Sequence, residues 1–287
     1  MQATTAGGPR PRPAMFRALG RRDPPETIDI DGEPFAREEI LKHDSWAATA
    51  IYASATRRAI CKFNRESPVA FVPMRWLGRA LAARERGFME RLRGVPGVPP
   101  GLGAIRVAGA VAPNAVARTF VPGHALGADE RVDDAFFPSL AATLAEVHRR
   151  GVAHVDLHKR ENILVDEAGR PQLIDFQISW GLPRNRWAAA CLRPLLAILQ
   201  QCDDYHLLKH RLWRRPDQLP NVEADLDRLR PFWIRLHRLV AVPFRTLRRG
   251  LLVRLGIRSP SGHAHSEAFP EVAHRLGMLP ALRRAAP

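Results

Sequence analysis

Along the first part of the chain the apolar positions fall in short extended runs, Ile28–Ile30, Phe35–Leu41, Ala50–Ala53 and Arg58–Phe63, separated by Asp-Gly and Ser/Thr breaks. Runs bounded by turn residues in this way predict a meander of antiparallel strands. Asp31-Gly32, between the first two, is a strong two-residue hairpin signal. From Trp76 to Leu92 the period changes, and Leu77, Leu81, Phe88 and Leu92 recur at helical spacing. Glu85, four after Leu81 and three before Phe88, falls on that apolar side, where a carboxylate needs a cation or hydrogen-bond donor. The stretch Gly94–Gly103 (GVPGVPPGLG) stops the helix. Two extended pieces, Ala104–Ala112 and Ala115–Val121, then lead to Pro122-Gly123, a predicted boundary between two units. Beyond it, Asp133 and Asp134 are placed to cap a helix whose Phe137, Leu140, Leu144 and Val147 form one stripe ending at Gly151. The rest reads as mostly helical, apart from one hairpin over residues 163–174.

That hairpin carries the most informative polar residues. Ile163–Val165 and Gln172–Ile174 read as strands joined by a turn over Asp166–Arg170, so Asn162 starts one strand and Asp175 ends the other. Both side chains emerge at one edge, and Asp156, six residues before Asn162, lies on the loop leading in. Two carboxylates and a carboxamide are a donor set suited to Mg²⁺, which binds through few protein oxygens and keeps waters and substrate phosphates.

His154-x-Asp156-Leu157 followed by Asn162, and then Asp175-Phe176, resembles the catalytic and metal-binding loops of the protein-kinase-like superfamily. Upstream, Ala59-Ile60-Cys61-Lys62 looks like the third-strand lysine motif, and Glu85 like its ion-pair partner. The resemblance covers about residues 28 to 180 and is closest to the lipopolysaccharide-kinase-like and atypical bacterial Ser/Thr kinase branches. It implies an α+β, two-lobed protein-kinase-like fold: a basic flexible tail over 1–24, an N-lobe over 25–121 of antiparallel sheet with one helix, a mainly helical C-lobe over 122–258, and a tail over 259–287. By the same resemblance, Asp156 orients or deprotonates an acceptor hydroxyl, Asn162 and Asp175 hold Mg²⁺, and Lys62, paired with Glu85, contacts the phosphates of ATP. His154 is expected to brace the loop.

Several positions depart from that pattern. Asp156 and Asn162 are six steps apart rather than five, so the loop must absorb one residue, and either His158 or Lys159 takes the place of the loop lysine. Gln177 replaces the glycine after Asp-Phe, removing the residue most tolerant of positive φ and making a switchable loop less expected. Residues 42–51 contain no glycine, so a phosphate cradle would have to use Ser45, Ala47 and Ala48. No Ala-Pro-Glu motif follows Asp175, which argues against a peptide-docking segment.

Composition changes the picture in one respect. Against 29 Asp and Glu stand 44 Lys and Arg, a formal charge of +15, which implies a polyanionic partner and says nothing of fold. Nine arginines and no acid lie between Arg228 and Arg258, among apolar residues at helical spacing. Two readings fit this stretch equally, a basic amphipathic helix on an anionic membrane and a packed helix with solvated arginines. Nucleic acid is disfavoured for want of a reading motif. The 3 cysteines form no closed disulfide set and no metal spacing, and read as small core residues of a cytoplasmic protein, peripheral at the inner face of the membrane where the amphipathic reading holds. The acceptor is then either a glycolipid sugar, favoured by the basic stretch and the missing docking segment, or a protein Ser/Thr. The reading from another class is an ATP-binding pseudokinase scaffold at a membrane surface.

Overall fold

The computed structural model describes residues 14–69 and 71–219, with residues 231, 232, 246 and 250. Strands β1 (Thr27–Ile30), β2 (Glu33–His43), β3 (Ala47–Ala53), β4 (Arg58–Asn64), β5 (Ile105–Val107), β6 (Ala110–Val111) and β7 (Ala115–Thr119) form one antiparallel sheet in the order β6-β5-β1-β2-β3-β4-β7. Helix α1 (Arg75–Arg91) intervenes after β4. The first hairpin turns at Asp31 (φ 58°) and Gly32 (φ 82°), the pair of left-handed residues that a two-residue type I′ connection demands. Register shifts in β2 between Arg37 and Glu39 and between Ile40 and Lys42 bend the strand and help the sheet to curl.

Strand alternation sorts this sheet into two faces. Ala48, Ala50 and Tyr52 of β3 pack with Cys61 and Phe63 of β4 in one apolar cluster, whereas Ile51 and Ile60 join Leu41 and Phe120 in another. Lys62 is opposite Thr49 in the register and therefore shares the Ile51 and Ile60 side. Helix α1 contacts β4 and β7. Its innermost line is Gly78, Ala82, Glu85 and Met89, while the expected apolar line of Leu77, Leu81 and Phe88 is only half-buried. The cause is close approach: a Cβ on Gly78 would lie 2.1 Å from the Arg65 carbonyl oxygen, so the helix descends on its smallest residues. The inward direction of Glu85 holds.

The remaining described elements are β8 (Gly123–Ala125), α2 (Phe136–Arg149), β9 (Val152–Ala153), β10 (Ile163–Asp166), β11 (Pro171–Leu173), β12 (Trp180–Gly181) and α3 (Arg186–Arg214). Strands order as β11-β10-β8 in one small sheet and β12-β9 in another. Phe136, Phe137, Leu140, Leu144 and Val147 bury the inner face of α2 against Leu157, Ile163, Leu173 and Phe176, each such side chain contributing roughly 1.5–3 kcal/mol. The class is a mixed α and β one, with seven strands in the main sheet and three α-helices among the described residues.

Four expectations are corrected. Residues 14–24 are not a free tail: Ala18 and Leu19 are buried, Ala18 N–H donates to the Asp44 carbonyl at 2.7 Å, and the Ala18 carbonyl accepts from Glu66 and Ser67, both at 3.0 Å. Ala104–Ala112 is a hairpin, turned at Ala108 and Gly109, rather than one extended piece. Neither Asp133 nor Asp134 caps α2, whose N-cap is Ala135 without a side-chain bond; the Asp134 carboxylate accepts from buried Arg215 instead, a guanidinium that cannot be left unpaired. Cys191 is exposed, not a core residue, whereas Cys61 is buried. Residues 1–13 and the arginine-rich stretch over 228–258, four positions apart, lie outside the described residues. No helix among the described residues is long and apolar enough to cross a membrane.

Candidate functional site

Lys62 is the hub. Its Nζ donates to both Glu85 carboxylate oxygens at 3.1 Å and to Asp175 Oδ1 at 2.8 Å, joining the sheet, α1 and the end of the β10-β11 hairpin across 113 positions of sequence. Burial alone would favour a neutral amine, but the charges of Asp175 and Glu85 outweigh it and raise the Lys62 pKa above its ordinary value. Burial raises the Glu85 pKa from its ordinary value, with Lys62 opposing and Asp175 adding to the rise. Asp175 is lowered despite burial, because Lys62 faces it directly. One cation thus serves two carboxylates, with Asp175 holding the firmer charge.

The β10-β11 hairpin brings the second group together. The Ile174 N–H donates to the Asn162 carbonyl at 2.9 Å, which fixes Asp175 next to Asn162. Asn162 Nδ2 donates to the Asp156 carbonyl at 3.0 Å and to Asp156 Oδ2 at 3.1 Å. Lys159 Nζ reaches the same Oδ2 at 2.7 Å, and His158 Nδ1 stands 3.3 Å from Oδ1. Of the two candidates for a loop cation, Lys159 therefore makes the closer contact. A short 3₁₀ turn over Arg160–Asn162 carries the chain from this loop into β10.

The loop is held from behind by residues that local pattern did not single out. Asp203, wholly buried in α3, accepts from the backbone N–H of His154 at 2.6 Å and of Val155 at 2.9 Å. Val155 has φ 69° and Asp175 φ 64°, left-handed values that cost a β-branched residue most, so the two bonds from Asp203 hold a strained turn beside Asp156. His154 Nε2 donates to the Ile174 carbonyl at 2.9 Å, and its ring meets Phe176 edge-on with centroids 5.0 Å apart, the bracing position expected of it. Ser179 Oγ donates to the His154 carbonyl at 3.1 Å. Asp203 lies seven residues after buried Leu196 on the same side of α3. An acid on an inward face is the signal that located Glu85, and it could have located Asp203 as well.

Gln177 stands where the resemblance expects glycine, and it is used: its Nε2 donates to Asn64 Oδ1 at 2.7 Å. Asn64 is itself tied to Asn114 by reciprocal side-chain to carbonyl bonds of 3.2 and 2.9 Å. The segment after Asp175 is thereby fastened to the ends of β4 and β7.

Ser45, Ala47 and Ala48, expected as a phosphate cradle, do not converge with this cluster as free donors. Asp44 Oδ1 takes the N–H groups of Trp46 at 2.7 Å and Ala47 at 2.9 Å, Ser45 Oγ donates to the Phe16 carbonyl at 3.0 Å, and Ala48 lies within β3. A carboxylate holds the place expected for phosphate. Burial opposes its charge, but Lys42 and these N–H groups keep the Asp44 pKa below the usual carboxylate value.

Among the described residues no group of three or more His, Cys, Asp or Glu side chains is arranged as a metal site. A Mg²⁺ site of the expected kind needs fewer protein ligands. Asn162, whose Nδ2 is committed to Asp156, retains its side-chain Oδ1, and Asp175, ionised and about a third exposed, retains Oδ2. That pair of hard oxygens fits the ion.

The back of the loop also titrates. His210 Nε2 donates to the Leu157 carbonyl at 2.8 Å and its Nδ1 faces Arg214 at 3.3 Å, an arrangement open only to the neutral ring. Burial pushes His210 down to about 4 against the help of its Leu157 bond, and burial with the charge of His158 pushes His206 to about 4. An unfolded histidine binds its proton nearer pH 6.5, so stability from both rings is present above that pH and is lost as pH falls toward 4. The unfolding free energy from urea titration is expected to be lower at pH 5 than at pH 7.5, by roughly 1–3 kcal/mol, and His210→Gln should flatten the profile. An unchanged midpoint across that window would remove these rings from the account.

A comparison of the chain with protein-family models finds no match, and neither does a comparison with curated proteins.

Proposed function

We propose that this chain is an ATP-dependent phosphotransferase of two-lobed, protein-kinase-like build that moves a γ-phosphoryl group to a hydroxyl, with a glycolipid sugar as the favoured acceptor. The observation that carries the reading is the meeting of Lys62, Glu85 and Asp175 within 3.1 Å beside the bonded pair Asp156 and Asn162. These residues come from β4, α1, the hairpin end and the loop, and nothing in local folding requires them to meet.

In this reading Lys62 turns from its two carboxylates toward the phosphates, where a permanent cation offsets charge that builds on the transferring oxygens. Asp156 receives the acceptor hydroxyl at Oδ1. Its other oxygen is occupied by Lys159 and Asn162, which fixes the carboxylate plane and holds the proton acceptor in one orientation. Asn162 and Asp175 would hold Mg²⁺, which when bound supplies charge neutralisation on the phosphate oxygens. Gln177, with Asn64, keeps Asp175 facing that position.

A second reading, a scaffold that recruits partners without turnover, is favoured by one observation: Asp44 occupies the turn donors that would otherwise bind phosphate. Radiolabelled ATP with Mg²⁺, offered to the full chain with purified envelope glycolipid and with a generic protein substrate, separates the readings. Label on the glycolipid is expected. Label on protein alone makes the chain a Ser/Thr kinase, and ATP binding without any label makes it the scaffold.

A further inference from the structure

The first half of α3 is apolar on the outside. At about 100° per residue, Leu196 and Asp203 mark its inward face. Trp187 and Cys191 lie on the opposite side and Leu195 at its edge, and all three are exposed, Trp187 by 75% and Leu195 by 42%. Ala190, Pro194 and Ala197 continue that exposed side. Arg186 and Arg193, seven residues apart, lie on the border between the buried and exposed faces, and exposed Arg184 precedes the helix. From Phe176 to Cys202 there is no Asp or Glu. Arg186 stacks over the Trp187 ring at 5.6 Å, and none of the three arginines has a carboxylate partner among the described residues. A helix whose outward face is apolar and one border of which is cationic is built for a surface that is apolar within and anionic at its edge.

We propose that this half of α3, with Ile178 (49% exposed) beside it, is a seat for an anionic lipid bilayer. Charge selects this occupant. A second copy docking through the same face would bring arginines against arginines, and the chain's own 228–258 stretch, with nine arginines and no acid, carries the same sign. Anionic headgroups supply the missing charge, while Trp187 and Leu195 enter the boundary between headgroups and acyl chains. The helix lies on the membrane and does not cross it. The seat is continuous with the candidate site: β12, which ends at Gly181, five residues before Arg186, pairs with β9, and β9 runs directly into His154 and Asp156. The seat stands whether or not the chain transfers phosphate.

Co-sedimentation of the full chain with phosphatidylcholine vesicles, with and without phosphatidylglycerol, tests it. Binding is expected only to the anionic vesicles and is weakened by salt. Trp187→Ser with Leu195→Ser should weaken it by about tenfold or more, and Arg184→Gln, Arg186→Gln and Arg193→Gln by about fivefold each. Cys191 reports the face directly: in a Cys202→Ser background it should react with maleimide in the free protein and be protected by anionic vesicles alone. Absence of binding, or binding indifferent to all five substitutions, overturns the proposal. A Cys191 already protected without lipid overturns it too, as the face would then be covered by the chain itself or by a second copy, which the sedimentation coefficient would tell apart.

Discussion

Asp156→Asn is expected to lower phosphoryl transfer by about 10²–10⁴-fold while leaving nucleotide affinity nearly unchanged. Asparagine keeps the side-chain volume and still offers one oxygen to Lys159 and to Asn162 Nδ2, so the loop survives. What it lacks is a carboxylate able to accept the acceptor's proton. The buried position, 3% exposed, leaves no room for water to substitute easily at that point. Lys62 and Asp175, on which nucleotide and metal would depend, are not among the bonds removed. Steady-state transfer and nucleotide titration, measured on the same preparation, check both halves. Wild-type turnover in the variant would remove Asp156 from the mechanism and with it the proposed role of the loop.

The largest effect on folding is expected from Asp203→Ala. The change strands two backbone donors, the buried one of His154 and the half-buried one of Val155, and removes the anion facing His148 Nε2 at 3.3 Å. Each unsatisfied donor costs about 1–3 kcal/mol, and the left-handed Val155 turn loses the bonds that compel it. A loss of roughly 3–5 kcal/mol in urea unfolding is expected, comparable to breaking a buried charge network. A variant that remains folded should also show a displaced Asp156, read as a fall in kcat at unchanged nucleotide affinity. Asp203→Asn, which keeps one acceptor oxygen, should recover part of the stability. Should alanine cost less than about 1 kcal/mol, Asp203 is not the clamp described.

What could be read from the chain alone was what repeats over short distances. The strand meander, the helix after it and the 163–174 hairpin follow from local period and turn residues, and Glu85 was found because one helical turn is enough to show which way it faces. The inner line of α1 was missed by one position because Gly78 and Ala82 carry little hydropathy, although they are what lets the helix approach Arg65. The cap expected of Asp133 and Asp134 failed because a competitor eighty-one positions away, Arg215, claims Asp134. The bond between Gln177 and Asn64 spans 113 positions and leaves no trace in either neighbourhood. Ser45, Ala47 and Ala48 follow only from the resemblance to a glycine loop, which gives no weight to the Asp44 carboxylate beside them.

The Gln177 to Asn64 fastening has a consequence for control. Proteins that are turned on and off by swinging a metal-binding aspartate need a residue after it that can pass freely through unusual backbone angles. Here that position carries a side chain knotted into a three-amide chain with Asn64 and Asn114. If the chain transfers phosphate as proposed, this fastening holds Asp175 in one place, and output would follow the amount of protein and its encounters with the acceptor.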